Sequence, residues 1–461
     1  MNRRMFAVLL VGLLAAAAPA MAAAPELRYT AGVAKRVITP TQPQWMAGYA
    51  GRNKPAQGKQ HDLYVKALAL DDGQGGRLVM VTVDLCGVSR AFTDAVYEAV
   101  AKKTSLNRES LCINVSHTHC GPVVQDALTS MYDMPQRERD KIPEYSQRVQ
   151  ALMVEAILEA IARRNPVTLA WGESSASFAT NRRQPTPKGV INGTHPTGPV
   201  DRSVPVLLVR SQKTEKIEAI LFGYACHNTT LSFYDWCGDY AGFAMHDLEK
   251  RYPGAQAMFW IGCGADANPL PRGTVELCKK YGAELAASVA SVVDGPSTPI
   301  TGKFSAKYAK VDAPLVPNRD ATKWREEAKS ANVALRQRAE RFVQMLDAGQ
   351  PLPESYPHYP VQVWKLGNSV TWVMLGGEVV VDYALKIREQ HGPKKPGDPR
   401  IWVAGYCNDV MAYIPSARVL AEGGYEADSS MIYYGMPGKW APAIEAKILA
   451  QVAALVAATR E

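Results

Sequence analysis

The sequence predicts an α/β fold, a layered domain around a mixed β-sheet with catalytic residues at strand ends. Three observations predict it. Short β-branched apolar runs alternate with longer runs of helical spacing. The run Leu78 to Val83, the helical stretch Ala91 to Lys103 and the run Leu111 to Val115 form a β-α-β unit. Polar residues able to bind metal or move protons follow directly on several of the apolar runs.

Taken from the N-terminus, residues 1–23 carry Arg3 and Arg4, an apolar run from Phe6 to Ala18, and the small-residue site Ala20-Met21-Ala22. They are expected to be a cleaved signal peptide, because the apolar run is shorter than the roughly 20 residues of a spanning helix. The protein is therefore expected to be periplasmic or secreted, with residues 24–461 as one hydrolase domain. Further strand-like runs lie at Val204 to Val209, Ala219 to Ala225, Ala257 to Ile261, Val361 to Leu366 and Val370 to Leu375. Helical patterns span Tyr145 to Arg164, Val275 to Val293 and Trp324 to Leu346. The Pro/Gly-rich stretch from Gln184 to Pro199 reads as a long surface loop.

Composition is that of an ordinary globular chain, 47% hydrophobic and 21% charged. The formal charge of +8 falls to about +6 without Arg3 and Arg4, and it is spread along the chain rather than clustered. That distribution argues against nucleic acid as a partner and leaves contact with an anionic membrane surface open. An oxidising compartment would permit disulfides among the eight cysteines. Cys226 with Cys237 and Cys263 with Cys278 are close enough in sequence to staple loops, although spacing does not fix connectivity.

The residues with chemistry share one kind of position. His117 and His119 follow the run ending at Val115, and His227 follows the run ending at Ala225. Asp266 and Asn268 follow Ile261, and Glu378 follows Leu375 through Gly376 and Gly377. Strand ends at one edge of an α/β sheet collect ligands and catalytic groups. In an extended segment, residues two apart point the same way, so the two rings of His117-Thr118-His119 could serve one metal. Hydrogen-bonded loop histidines, a helix-starting glutamate at Glu378 and an Asx-capped turn at Asp266 to Asn268 are the corresponding structural readings.

Several motifs occur together and in order: Gly48-Tyr49-Ala50-Gly51-Arg52, Asn114 to Pro122 with its HTH core, and Asn181-Arg182-Arg183. They continue with Gly264 to Pro269, Gly376-Gly377-Glu378, and Asn408-Asp409 through Tyr413. The chain from about Tyr29 onward thereby resembles the neutral, or non-lysosomal, ceramidase family. The resemblance implies one zinc ion per chain, held by His117, His227, Glu378 and Tyr413. It further implies that Arg182 and Tyr425 stabilise a developing oxyanion, and that His119 moves protons or orients a ligand. Tyr425 stands twelve residues after Tyr413, the spacing found in that family.

Two departures bear on substrate. Asn268 stands where ceramidases of the family carry the serine of a GDxSP loop, and asparagine cannot form an acyl-enzyme. Asn268 could instead donate a hydrogen bond to the tetrahedral intermediate. The sequence also ends soon after these motifs, so the C-terminal immunoglobulin-like domain of longer members is expected to be absent. The expected function is zinc-dependent cleavage of an N-acyl amide bond in a lipid-like substrate by activated water. An esterase or lactonase on a non-sphingolipid compound, and a non-catalytic metal- or lipid-binding protein, are the alternatives.

Overall fold

The computed structural model describes residues 29–128 and 130–460; the expected signal peptide lies outside them. The larger sheet runs in the order Gln256–Ile261, Ile217–Tyr224, Ser203–Ser211, Asn165–Ser175, Thr30–Val37, Tyr64–Asp71, Arg77–Val83, Leu111–Val115, with Thr298–Pro299 added beside Asn165–Ser175. Its inner pairs are antiparallel, whereas the outermost pair at each end is parallel. Parallel neighbours need a crossover, and helices Arg90–Ala101 and Asp239–Arg251 supply one at each end. The β-α-β unit read from the sequence is thus one of two that the described residues form within this sheet. The two edge strands approach one another where Asn114 Oδ1 accepts from Ile261 N at 2.9 Å, while Asn114 Nδ2 donates outside this sheet, to Gly405 O at 2.9 Å.

A second sheet, ordered Phe304–Pro314, Ser355–Leu366, Val370–Leu375, Arg400–Ala404, lies against the first. Strand periodicity shows in the burial. Val65, Ala67 and Ala69 join the core beneath the helices, while Leu68 and Leu70, between and beyond them, join the core between the sheets. The inter-sheet core contains Trp171, Trp260, Trp364, Trp372 and Trp402, with Trp372 and Trp402 stacked at 4.0 Å. Helices Val381–His391 and Ile444–Ala458 cover the outer face of the second sheet. The layered α/β expectation holds, with two facing sheets. Among the described residues, no helix is long and apolar enough to cross a membrane.

Three expectations change. Gln184 to Pro199 is largely a hairpin, Ala179–Thr186 with Gly189–His195, rather than a loop. Its second strand has the first as its sole sheet neighbour and is exposed or half-buried throughout, so it needs no apolar face to be recognised by. Trp324 to Leu346 is two helices, Ala321–Glu327 and Val333–Asp347, because Asn332 accepts from Leu335 N and starts the second. All eight cysteines are free and buried. The Cys278 thiol donates to Asp239 Oδ1 at 3.4 Å, and neither sequence-adjacent pair is joined.

Asp409 marks where the second sheet's loop meets the first sheet's helix. Its carboxylate accepts from Arg90 N at 3.1 Å and from the Tyr356 hydroxyl at 2.7 Å. Burial pushes its pKa up to about 7, against those two donors. The folded chain holds this proton more tightly than the unfolded chain, so the group's contribution to stability is complete below about pH 4 and is lost as pH rises through about 7. Asp409→Asn should accordingly gain stability over the wild type across that interval, by on the order of 2–4 kcal/mol. Denaturant titrations at pH 4 and pH 8 check it; an equal difference at both would contradict it.

Candidate metal centre and active site

His117 and His119 leave the strand ending at Val115, but the segment is not extended, since His117 has φ 56°. The two rings consequently meet edge to face, with Nε2 atoms 3.1 Å apart, instead of lying side by side. Gly48 makes this possible: its φ is +99°, and a Cβ there would sit 2.3 Å from His119 Nδ1. His227 follows the strand ending at Tyr224 and is tied by its backbone N–H to Ala267 O at 2.9 Å. Glu378 and Tyr413 are backbone partners in a short parallel ladder, which sets their side chains beside one another. The turn into Glu378 requires glycine at 377, where φ is +76° and a Cβ would lie 2.8 Å from Ala412 O.

Each expected ligand arrives at one point. Glu378 Oε2 lies 3.2 Å from His117 Nε2 and 3.1 Å from His227 Nε2, and the Tyr413 hydroxyl lies 3.2 Å from His227 Nε2. The far ring nitrogens are already engaged. His117 Nδ1 donates to Cys86 O at 2.5 Å and His227 Nδ1 donates to Gly264 O at 2.9 Å. These outer bonds fix both tautomers with the Nε2 lone pairs turned inward. Two imidazole lone pairs and a carboxylate therefore face one another in a fully buried space, an arrangement that a proton or a cation must relieve. Burial disfavours a charged His117, yet Glu378 and Cys86 overcome it and carry its pKa up to about 10. His227 is held down at about 4 by burial and by Arg182. The donor set, two neutral imidazoles, one carboxylate and one phenol, suits a zinc-type divalent ion. A second trio, Cys86, His117 and His119, could also approach an ion, but it lacks the carboxylate and shares His117 with the first.

Around this cluster, His119 is kept neutral, its pKa lowered by burial and by the two neighbouring histidines. Its Nδ1 is buried without a hydrogen-bond partner, and Tyr49 lies edge-on to the ring at 4.8 Å. Arg182, on strand Ala179–Thr186, donates through Nη2 to the Tyr413 hydroxyl at 3.0 Å and through Nη1 to Asn268 Oδ1 at 3.4 Å. Asn268 thus accepts from Arg182 with its oxygen, and the pairing of Ala267–Pro269 with that strand brings them together. The Tyr425 ring lies 5.5 Å from the Arg182 guanidinium and 5.3 Å from the Tyr413 ring, half-buried at the rim. Asp266 is a brace, accepting from Val381 N at 2.9 Å and from Asn181 Nδ2 at 3.2 Å.

The structure adds residues the sequence reading missed. Tyr434 donates to Glu378 Oε1, and the Tyr406 hydroxyl reaches Glu378 Oε2 at 3.4 Å. Cys86 holds His117 through its carbonyl, and Glu426 holds Arg182. Only Glu426 carried a sequence signal, its adjacency to Tyr425. Tyr434 also lines a cavity of about 280 Å³ whose wall includes Leu128, Leu315, Met411 and Met436 together with the charged Asp126, Arg341 and Asp409. A larger depression of about 550 Å³, lined by Lys394, Lys395 and Arg400, touches none of the site residues.

No curated relative matches the chain in sequence. Among solved structures, a ceramidase complexed with C2 superposes with a TM-score of 0.69 at 17% identity, covering 91% of this chain and 73% of that one. The neutral ceramidase from Pseudomonas aeruginosa gives 0.69 at 18% identity, covering 92% and 73%. At such identities the likeness is one of fold. A family model, the N-terminal part of neutral/alkaline non-lysosomal ceramidases, matches residues 29–310, a span that includes His117, His119, Arg182, His227 and Asn268. On that match, over more than half its length, the chain belongs to the neutral/alkaline non-lysosomal ceramidase family.

Proposed function

We propose that the chain is an exported, zinc-dependent hydrolase that cleaves an N-acyl amide bond in a lipid-like substrate. One observation carries the reading: His117, His227 and Glu378 turn three acceptor atoms toward one buried point, with both imidazole tautomers fixed from behind. Zinc held there by these three and Tyr413 would polarise a carbonyl and lower the pKa of water to roughly 7. The remaining work falls to side chains. Arg182 offers guanidinium N–H groups, and Tyr425 a hydroxyl with no hydrogen-bond partner among the described residues, to negative charge developing on the carbonyl oxygen. His119, whose Nδ1 is unengaged and whose Nε2 lies 3.1 Å from His117 Nε2, would move protons or orient a ligand. Asn268 steadies Arg182 through its oxygen and has no nucleophilic atom, which supports direct attack by water. The cavity that Tyr434 lines, apolar over most of its surface but with Asp126, Arg341 and Asp409 in its wall, supports a substrate with both a hydrocarbon and a polar part.

The absent serine also favours a second reading, an esterase or lactonase, since an ester needs less help for its leaving group. Turnover of matched N-acyl amides and esters of graded chain length, on metal-stripped and zinc-reloaded protein, separates the two. The proposal expects amide cleavage that vanishes on stripping and returns with zinc. Ester cleavage alone would establish the second reading, and no turnover of either at saturating zinc would leave a binding protein.

A further inference from the structure

Arg182 is almost wholly buried, and a guanidinium charge removed from water must be paired. Its partner is Glu426, whose Oε1 accepts from Arg182 Nε at 2.7 Å while Oε2 accepts from Arg183 Nη1 at 2.6 Å. Consecutive strand residues ordinarily point to opposite faces, yet both arginines reach one carboxylate. A register shift between Asn181 and Arg183 accounts for it: the irregular strand re-aims a side chain, as bulges beside active sites do. The charges continue outward in strict alternation. Arg183 Nη2 donates to Glu422 at 3.0 Å, Arg418 donates to Glu422 at 2.9 Å, and Arg418 pairs with Asp382 at 2.7 Å. Three positive and three negative groups thus connect the site to helices Ala417–Glu422 and Val381–His391.

The atom that Glu426 grips decides what the network does. A guanidinium is planar, so fixing the direction of its Nε–H fixes both terminal nitrogens. Held by Nε, Arg182 has Nη1 and Nη2 turned to Asn268 and Tyr413, toward the metal cluster and the rim. A grip on the terminal nitrogens would have spent the donors on the carboxylate instead. We propose that Glu426 is a positioning residue, setting the Arg182 guanidinium in its reactive orientation, with Arg183 and the outward charge chain holding Glu426 in place. The proposal rests on the hydrolase reading for its kinetic consequence, and on this geometry alone for the orientation.

Glu426→Gln in the wild type and in an Arg182→Ala background tests it. In the wild type, kcat should fall roughly 10- to 100-fold with KM changed less than about threefold and zinc content unchanged. In the Arg182→Ala background the same substitution should change kcat less than about twofold, because the residue it positions is gone. Equal losses in both backgrounds, or loss of zinc, would overturn the proposal. The arginine Nε–Hε NMR spectrum of metal-free protein supplies a readout independent of turnover. The signal absent in Arg182→Ala should be a slowly exchanging one that shifts and exchanges faster in Glu426→Gln; an unmoved signal would overturn the orientation. That arm decides the matter by itself should the wild type cleave no substrate, in which case the hydrolase reading fails separately. If Glu426→Gln does not fold, Glu426→Asp, too short to reach both arginines, is read in the same cycle.

Discussion

Replacing His227 by alanine is expected to empty the metal centre. The imidazole is one of two neutral nitrogen ligands, and its Nε2 is the atom that approaches both Glu378, at 3.1 Å, and the Tyr413 hydroxyl, at 3.2 Å. Its loss leaves a buried carboxylate facing one imidazole and a phenol, too few donors for tight zinc binding. Zinc affinity should fall by more than the roughly 10- to 100-fold that follows loss of an outer-shell partner. Turnover should fall to that of metal-stripped wild type. Elemental analysis at matched free zinc checks it, and wild-type stoichiometry in the variant would remove His227 from the ligand set.

The second large effect is expected at Arg182. Alanine there removes the charged donor nearest Asn268 and Tyr413 and leaves Glu426 with Arg183 as its remaining partner. Losing one preorganised oxyanion donor costs roughly 10²- to 10³-fold in kcat. Zinc should stay, since no Arg182 atom belongs to the ligand set, while melting temperature should drop because Glu426 is buried. Arg182→Lys should recover little activity: a point charge on a flexible stem cannot satisfy Glu426, Asn268 and the Tyr413 hydroxyl from one rigid plane. Near wild-type kcat in Arg182→Ala, measured where chemistry limits the rate, would place the oxyanion elsewhere.

What the sequence disclosed follows from how local its signals are. Leu111 to Val115 and Val370 to Leu375 are legible to the residue, because strands buried on both faces are mostly apolar, with one polar residue each, Asn114 and Thr371. The site positions after them followed from strand polarity and from the glycines that let the chain turn into Glu378. His117, His119, Arg182, His227, Asn268, Glu378, Tyr413 and Tyr425 do come together in space. The residues that hold them are far less legible, Glu426 alone standing beside a recognised position, Tyr425. Tyr434 reaches Glu378 across 56 positions, and Glu426 reaches Arg182 across 244. No periodicity encodes such a meeting. Nor did the hairpin strand Gly189–His195, whose exposed polar residues imitate a loop, or Asn332, whose cap divides a continuous helical pattern. For the cysteines, sequence spacing fixed no pairing, and all eight are free and buried.

The hydrolase reading stands on His117, His227, Glu378 and Tyr413 forming one catalytic metal centre. Anomalous diffraction at the zinc absorption edge, from crystals of the mature protein equilibrated with zinc, decides whether they do. A single strong peak per chain is expected, within bonding distance of His117 Nε2, His227 Nε2 and a Glu378 oxygen. A peak seated instead on Cys86 and His119, or none at saturating zinc, would contradict it.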